Sequence, residues 1–241
     1  MTQLLSNSIH GLIPRVALSA AQRDEMFALL SEHFDGVTRE QFERDLAEKN
    51  WVVEIRRERR LVGFSTLLVC EADFEGGTIT AIYSGDTIVA PEAWGTSALP
   101  RTWIAAVNGL RAAHPERPCY WLLLTSGFRT YRFLPVFWRE FFPRYDRAMP
   151  ERERRLLDGL ARAQYGSWYD AETGLVRFPR PQRLRGELSI VPAGRASDPH
   201  IAFFLARNAG HVRGDELVCI TEISDANLTS AGRRMVAGET R

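Results

Sequence analysis

Lysine is almost absent: Lys49 stands alone among 31 basic residues, and the other 30 are arginine. A P-loop needs a lysine on the phosphates and a Schiff-base enzyme needs a lysine amine, yet Lys49 lies in AEKNW with no glycine-rich loop beside it. That argues against P-loop hydrolysis and pyridoxal chemistry. Cysteine is equally sparse. Cys70, Cys119 and Cys219 are scattered inside apolar runs, at no spacing that builds a disulfide framework or a zinc site. The five histidines never recur at i, i+3 or i, i+4, so no helical face carries a pair of metal ligands and no metal site is expected. Long apolar runs are missing too: no stretch of about 18 apolar residues occurs, and the N-terminus shows no charged region followed by an apolar one. The expectation is a cytoplasmic protein without a membrane partner.

What is present suits an ordinary core, with 45% of 241 residues hydrophobic and 25% charged. The net charge of +1 is a cancellation. Residues 21–54 carry nine acids against four bases, a net of −5, whereas residues 129–185 carry thirteen arginines against seven acids, a net of +6. Such a dipolar surface can steer a polyanion, although solvated helix faces would read the same way.

Along the chain, Ser19 with Gln22 and Thr38 with Gln41 fit capping boxes that open two short helices. Three β-rich runs follow, from Trp51 to Val89, as an antiparallel meander. A helical stripe at Trp103, Ile104, Val107 and Leu110 then leads to CYWLLLT, a buried strand, so that strand, helix and strand form a parallel crossover. An aromatic helix broken by Pro135 comes next, then an amphipathic helix opened by Pro150. A strand around Leu175, a helix capped by Asp198 and the strand DELVCITEI complete the chain, with a tail fraying at Glu239 to Arg241.

The order strand, two helices, three antiparallel strands, helix and parallel strand, together with the loop IVAPEAWGTSALPRTW, resembles the GNAT acyltransferase superfamily over roughly residues 12–145. Val89, Pro91, Glu92 and Gly95 match the family's loop, while Trp94, Ser97 and Leu99 replace its usual Gln or Arg, second glycine and final small residue. The resemblance implies an α/β (α+β) fold, a mixed and mostly antiparallel sheet flanked by helices, with residues 1–148 as the acyltransferase core. Residues 149–241 would be a C-terminal helical and strand extension packed on the same domain.

It also implies roles. Val89, Trp94, Gly95, Thr96, Ser97 and Arg101 would bind the donor through backbone N–H groups at a helix N-terminus. Asp86 is the first candidate for the base that takes the amine's proton, and Tyr83 lies on the same strand, on the opposite face by simple alternation. The competing role for Asp86 is to cap or hydrogen-bond the backbone at a bulge at Gly85. The family's tyrosine acid is replaced by Trp138, which leaves Tyr131 as the available substitute. Arg129, Arg132, Arg139, Arg144, Arg177, Arg180, Arg183 and Arg185 could hold a polyanion, with Tyr165, Trp168 and Tyr169 as stacking surface. The expected activity is amide formation between a small amine and an activated acyl or aminoacyl group. Acyl-CoA, an acyl-carrier-protein thioester and aminoacyl-tRNA are the candidate donors, and no tightly bound cofactor is expected. A non-catalytic GNAT-like module that binds a ligand or RNA is the competing reading.

Overall fold

The computed structural model describes residues 11–195 and 197–236. The expected fraying at 239–241 lies outside the described residues. Strand β1 (Leu12–Pro14) leads into α1 (Ala20–His33), whose N-terminus carries the complete Ser19–Gln22 capping box. The short β2 (Phe34–Asp35) follows, then α2 (Arg39–Ala47), where Thr38 accepts from the Gln41 N–H. The meander is β3 (Trp51–Arg57), β4 (Arg60–Phe74) and β5 (Gly77–Val89), all antiparallel. Helix α3 (Ala98–Ala112) then crosses over to β6 (Cys119–Thr125), which pairs parallel with β5.

The aromatic segment forms two short helices rather than one, α4 (Phe128–Tyr131) and α5 (Phe133–Phe137), followed by the two-residue β7 (Phe141–Phe142). Pro135 is tolerated because it falls in the first turn of α5, where its missing N–H has no intrahelical acceptor to lose. Beyond it come α6 (Glu151–Tyr165), β8 (Tyr169–Asp170), β9 (Leu175–Val176) and β10 (Arg183–Leu184). Helix α7 (Pro199–Arg207), capped by Asp198, precedes β11 (Glu216–Glu222) and α8 (Ser230–Val236). The main path of the sheet runs β1-β3-β4-β5-β6-β11-β9-β8, with β7 also on β11. The fold class is therefore α/β with a mixed, mostly antiparallel sheet flanked by helices, and β11 extends that sheet beyond β6.

Alternation along the strands divides the helices between the faces. Val53, Leu67, Ile82, Trp121 and Cys219 point to α3, with α4, α5 and α7 beyond it. Val52 and Phe64 point to α1 and α2, and Tyr83, Leu122 and Val218 point to α6. The second face thus has two separate apolar clusters. Between them the floor is β4 at Thr66 and β5 at Gly85 and Asp86.

That floor holds the feature that positions the site. Leu67 pairs with Ser84 and Ser65 with Thr87, so Thr66 faces two residues, Gly85 and Asp86. This β-bulge breaks the alternation of β5. Tyr83 and Ile88, five residues apart, consequently share one face, as their partners Leu68 and Phe64 do. The bulge also re-aims β5: pairing with β6 ends at Ser84 and Leu123, while β5 continues to Val89 and β6 to Thr125. On the opposite face, tryptophans mark the point of divergence. Trp121 donates to Ser84 Oγ at 2.9 Å and packs on Trp103 at 4.2 Å between ring centroids. Truncating Trp121 removes a 3%-exposed indole from this cluster. Trp121→Ala is expected to lower unfolding free energy by about 3–5 kcal/mol, read from the urea midpoint.

Candidate active site

The bulge brings Asp86 onto the face where Tyr83 lies. The expected placement of these two side chains on opposite faces is therefore wrong, because the extra residue shifts the register by one. Around Asp86 the walls come from distant parts of the chain. The end of α2 supplies Asp45, Glu48 and Lys49, the last residue of α6 is Tyr165, and β11 begins with Glu216. Glu216 shares the face of Val218 and Ile220, so it lies beyond the end of β6, across the split from Asp86. The side chain of Lys49, 12% exposed, lies over Gly85. A Cβ at Gly85 would meet Lys49 Cε at 2.8 Å and Thr66 Oγ1 at 2.6 Å, which is why glycine suits this position.

Electrostatics set this cleft apart. Burial, and then the charge of Asp45, push the Asp86 carboxyl up to about 6 against a smaller opposing effect of Lys49. Burial, and then Asp86 itself, push Glu216 up to about 8. Burial raises Tyr83 and Tyr165 as well, so both phenols stay neutral at ordinary pH. Among the described residues, neither the Asp86 nor the Glu216 carboxyl has a hydrogen-bond or ion-pair partner, so Asp86 does not cap the bulge. Lys49 is otherwise engaged, donating to the Asp45 carbonyl at 3.2 Å with Glu48 at 3.8 Å.

The two remaining acid candidates differ from their expected roles. Tyr131 is 0% exposed, donates to the Pro143 carbonyl at 3.0 Å and packs against Phe141, Phe203 and Phe204. It belongs to the core on the α3 face, away from Asp86, and cannot serve as the acid there. Tyr83 does face the cleft side, but its hydroxyl is directed to the Leu160 carbonyl at 3.5 Å.

At the far end of β5, the loop before α3 is exposed. Ala90 N–H donates to the Val62 carbonyl, holding the loop to the sheet, and Pro91 to Ala93 make one 3-10 turn. Gly95 follows at φ +78° with open space where a Cβ would stand, so glycine serves the backbone here. Thr96 donates to the Ala93 carbonyl, and Ser97 is the N-cap of α3 without a side-chain capping bond. Among the described residues nothing accepts from the N–H groups of Gly95, Thr96 and Ser97, and the Arg101 guanidinium one turn into α3 forms no ion pair. Trp94 folds back on the chain: its indole donates to the Val89 carbonyl at 2.8 Å and lies under the Arg129 guanidinium at 4.3 Å.

The arginines do not form one free basic face. Arg129 donates to the Leu188 carbonyl, Arg132 pairs with Asp198, Arg144 with Asp146, Arg177 with Asp170 and Asp215, and Arg185 with Asp35. Among the described residues, Arg139, Arg180 and Arg183 have no such partner. Tyr169 is buried and donates to Asp158, so it offers no stacking face, whereas Trp168 is 48% exposed.

Glu216, Lys49 and Thr66 are site residues that the sequence reading missed. An acid on the inward face of the apolar strand DELVCITEI was the available signal for Glu216. Among the described residues, no group of three His, Cys, Asp or Glu side chains could hold a metal ion, and no helix is long and apolar enough to cross a membrane.

The carboxyl shifts set a stability profile. Folded Asp86 and Glu216 keep protons that the unfolded chain releases above pH ~4–4.5, so stability falls as pH rises through that interval toward about 6 and about 8. The melting temperature is expected to fall between pH 5 and pH 9 by roughly the equivalent of up to 1.4 kcal/mol per pH unit for each group in its window. Glu216→Gln is expected to flatten the upper part of that profile in thermal melts.

No family model matches the sequence, and no curated protein matches it. Solved structures similar to the chain include the GNAT family N-acetyltransferase YhbS of Escherichia coli in complex with CoA, at 12% identity and TM-score 0.38, over 52% of this chain and 67% of that one. Escherichia coli ElaA is similar at 14% identity and TM-score 0.37, over 58% and 92%. A probable N-acyltransferase from Enterococcus faecalis V583 is similar at 14% identity and TM-score 0.40, over 88% of this chain and 65% of that one.

Proposed function

We propose that the chain is a GNAT-like acyltransferase that moves an acyl group from a coenzyme A thioester to a small amine in the cleft at Asp86. The observation that carries this reading is the split between β5 and β6, opening at a bulge that presents an unpaired carboxyl. Beyond Ser84 no strand among the described residues pairs with the free edge of β5, which leaves its backbone groups available to an extended donor arm. The free N–H groups of Gly95, Thr96 and Ser97, with Arg101 beside them, suit the donor's diphosphate.

The chemistry follows from the groups present. An ammonium entering the cleft gives a proton to the Asp86 carboxylate and becomes a nucleophile. Its nitrogen attacks the thioester carbonyl, the carbon–sulfur bond breaks, and the thiolate leaves to take a proton. A base near pH 6 suits this task, since it is ionised at neutral pH yet basic enough to accept.

Carrier-protein and aminoacyl-tRNA donors would rely on the basic stretch from Arg129 to Arg185, and five of its eight candidate arginines are already held by the chain's own groups. The coenzyme A thioester is therefore the preferred donor, and the other two are arms of the test.

The test is calorimetric binding of acetyl-CoA, an acyl-carrier-protein thioester and charged tRNA, followed by turnover with an amine mixture. Micromolar binding of acetyl-CoA with amide formation is the expected result. Arg101→Ala is expected to raise the KM for acetyl-CoA, and Asp86→Asn to lower kcat by about 10²–10⁴. Binding without any amide product would favour the non-catalytic module, and no binding of any donor would overturn the assignment.

A further inference from the structure

The acyl-transfer reading leaves the acceptor's chemistry open, and the cleft constrains it. This chain is rich in arginine, and even Asp215, next to Glu216, has Arg177 and Arg213 beside it. Asp45 accepts from Gln41 and Glu48 is paired with Lys49. Asp86 and Glu216 are the exceptions in this cleft, with no partner among the described residues. They lie on one face of the sheet, on β5 and β11, with β6 between them. Pairing of β5 with β6 stops at Ser84, and β6 ends at Thr125, opposite Leu217 and one residue short of Glu216, so both carboxyls lie where the sheet opens.

A second observation points to a ligand. The Thr66 hydroxyl, on a residue 0% exposed, has no hydrogen-bond partner among the described residues, and it lies on the cleft face against Gly85, beside Asp86. Buried hydroxyls are ordinarily paired, and an unpaired one costs free energy until a partner arrives.

We infer that the acceptor carries two positive nitrogens, as a diamine does, with the reacting nitrogen at Asp86 and Thr66 and the distal cation on Glu216. Glu216 is then a specificity-determining residue. Such a ligand partners both carboxyls and the orphan hydroxyl at once. The raised proton affinities of the two carboxyls agree with this, since among the described residues Asp86, Glu216, Asp45 and Glu48 face one cation there, Lys49, beside the neutral Tyr83 and Tyr165. In the reaction the nitrogen at Asp86 gives one proton to that carboxylate and a second to the departing thiolate, keeps the third and gains the acyl group as the carbon–sulfur bond breaks to release the thiol, and the distal ammonium is unchanged. The inference rests on the acyl-transfer reading only for which nitrogen reacts.

The experiment compares butylamine with diaminobutane on the full chain, by calorimetric binding without donor and by steady-state kinetics with acetyl-CoA. The diamine is expected to show a Kd and KM at least about tenfold lower, as a desolvated charge pair warrants. Glu216→Gln is expected to bring the ratio between the two ligands close to one, with kcat for the diamine changed far less than KM. Circular dichroism checks that variant's fold, and the two-ligand comparison on the wild-type chain stands without it. Diamine binding that depends on Glu216 with no acetyl transfer would keep the inference and overturn the acyl-transfer reading. Amide formation with equal KM for both amines, or a ratio unaltered in Glu216→Gln, would overturn the inference alone. Neither binding nor turnover would overturn both.

Discussion

One extra residue in β5 governs the arrangement. Because Gly85 and Asp86 together face Thr66, every side chain of β5 beyond that point changes face, and the strand turns away from β6. Without the bulge, Asp86 would point at α3 and the tryptophan cluster, where a carboxylate has no place. With it, Asp86 enters a gap between two apolar clusters, and the same local distortion ends the pairing that would otherwise close the sheet. Packing supports the distortion from both sides: Trp121 and Trp103 tie Ser84 and Ser65 on one face, and Lys49 covers Gly85 on the other.

Charge is distributed by a related logic. Most arginines of the central and C-terminal stretch spend their positive charge on nearby acids or carbonyls, giving exposed pairs that contribute little individually to stability. The cleft is arranged in the opposite sense. There, β-strands and helix ends hold Asp86 and Glu216 in surroundings that hydrate them poorly, with Asp45 disfavouring the ionisation of Asp86 and Asp86 that of Glu216. Such a cluster costs stability, and functional sites are where proteins bear costs of that kind. The exposed N–H groups of Gly95 to Ser97 are the complementary feature at the other end of the split, with amide donors facing outward where the cleft gathers acceptors.

Local signals in the sequence were sufficient for much of the fold. The Ser19 capping box, the β-rich runs of β3 and β4, the 3.6-residue stripe of α3 and the uninterrupted run of β6 each depend on neighbours within a few positions, and each appears as read. Tyr131 shows where this approach stops. A tyrosine amid phenylalanines has the same pattern whether its hydroxyl meets a substrate or the Pro143 carbonyl, and the contact that decides comes from a separate segment.

By itself, then, the sequence determined the longer elements, their order and the mixed sheet, because propensity, capping and periodicity act locally, while the loop with its outward amides was implied by resemblance to a family. Tertiary structure alone decided that Asp86 and Tyr83 share a face, that Glu216 lies across the split from Asp86 although 130 positions separate them, and that most of the arginines are already paired. These depend on a bulge defined by pairing with Thr66 and on β11 joining β6, and cross-strand partnership between distant segments is not encoded in the spacing of any single one of them.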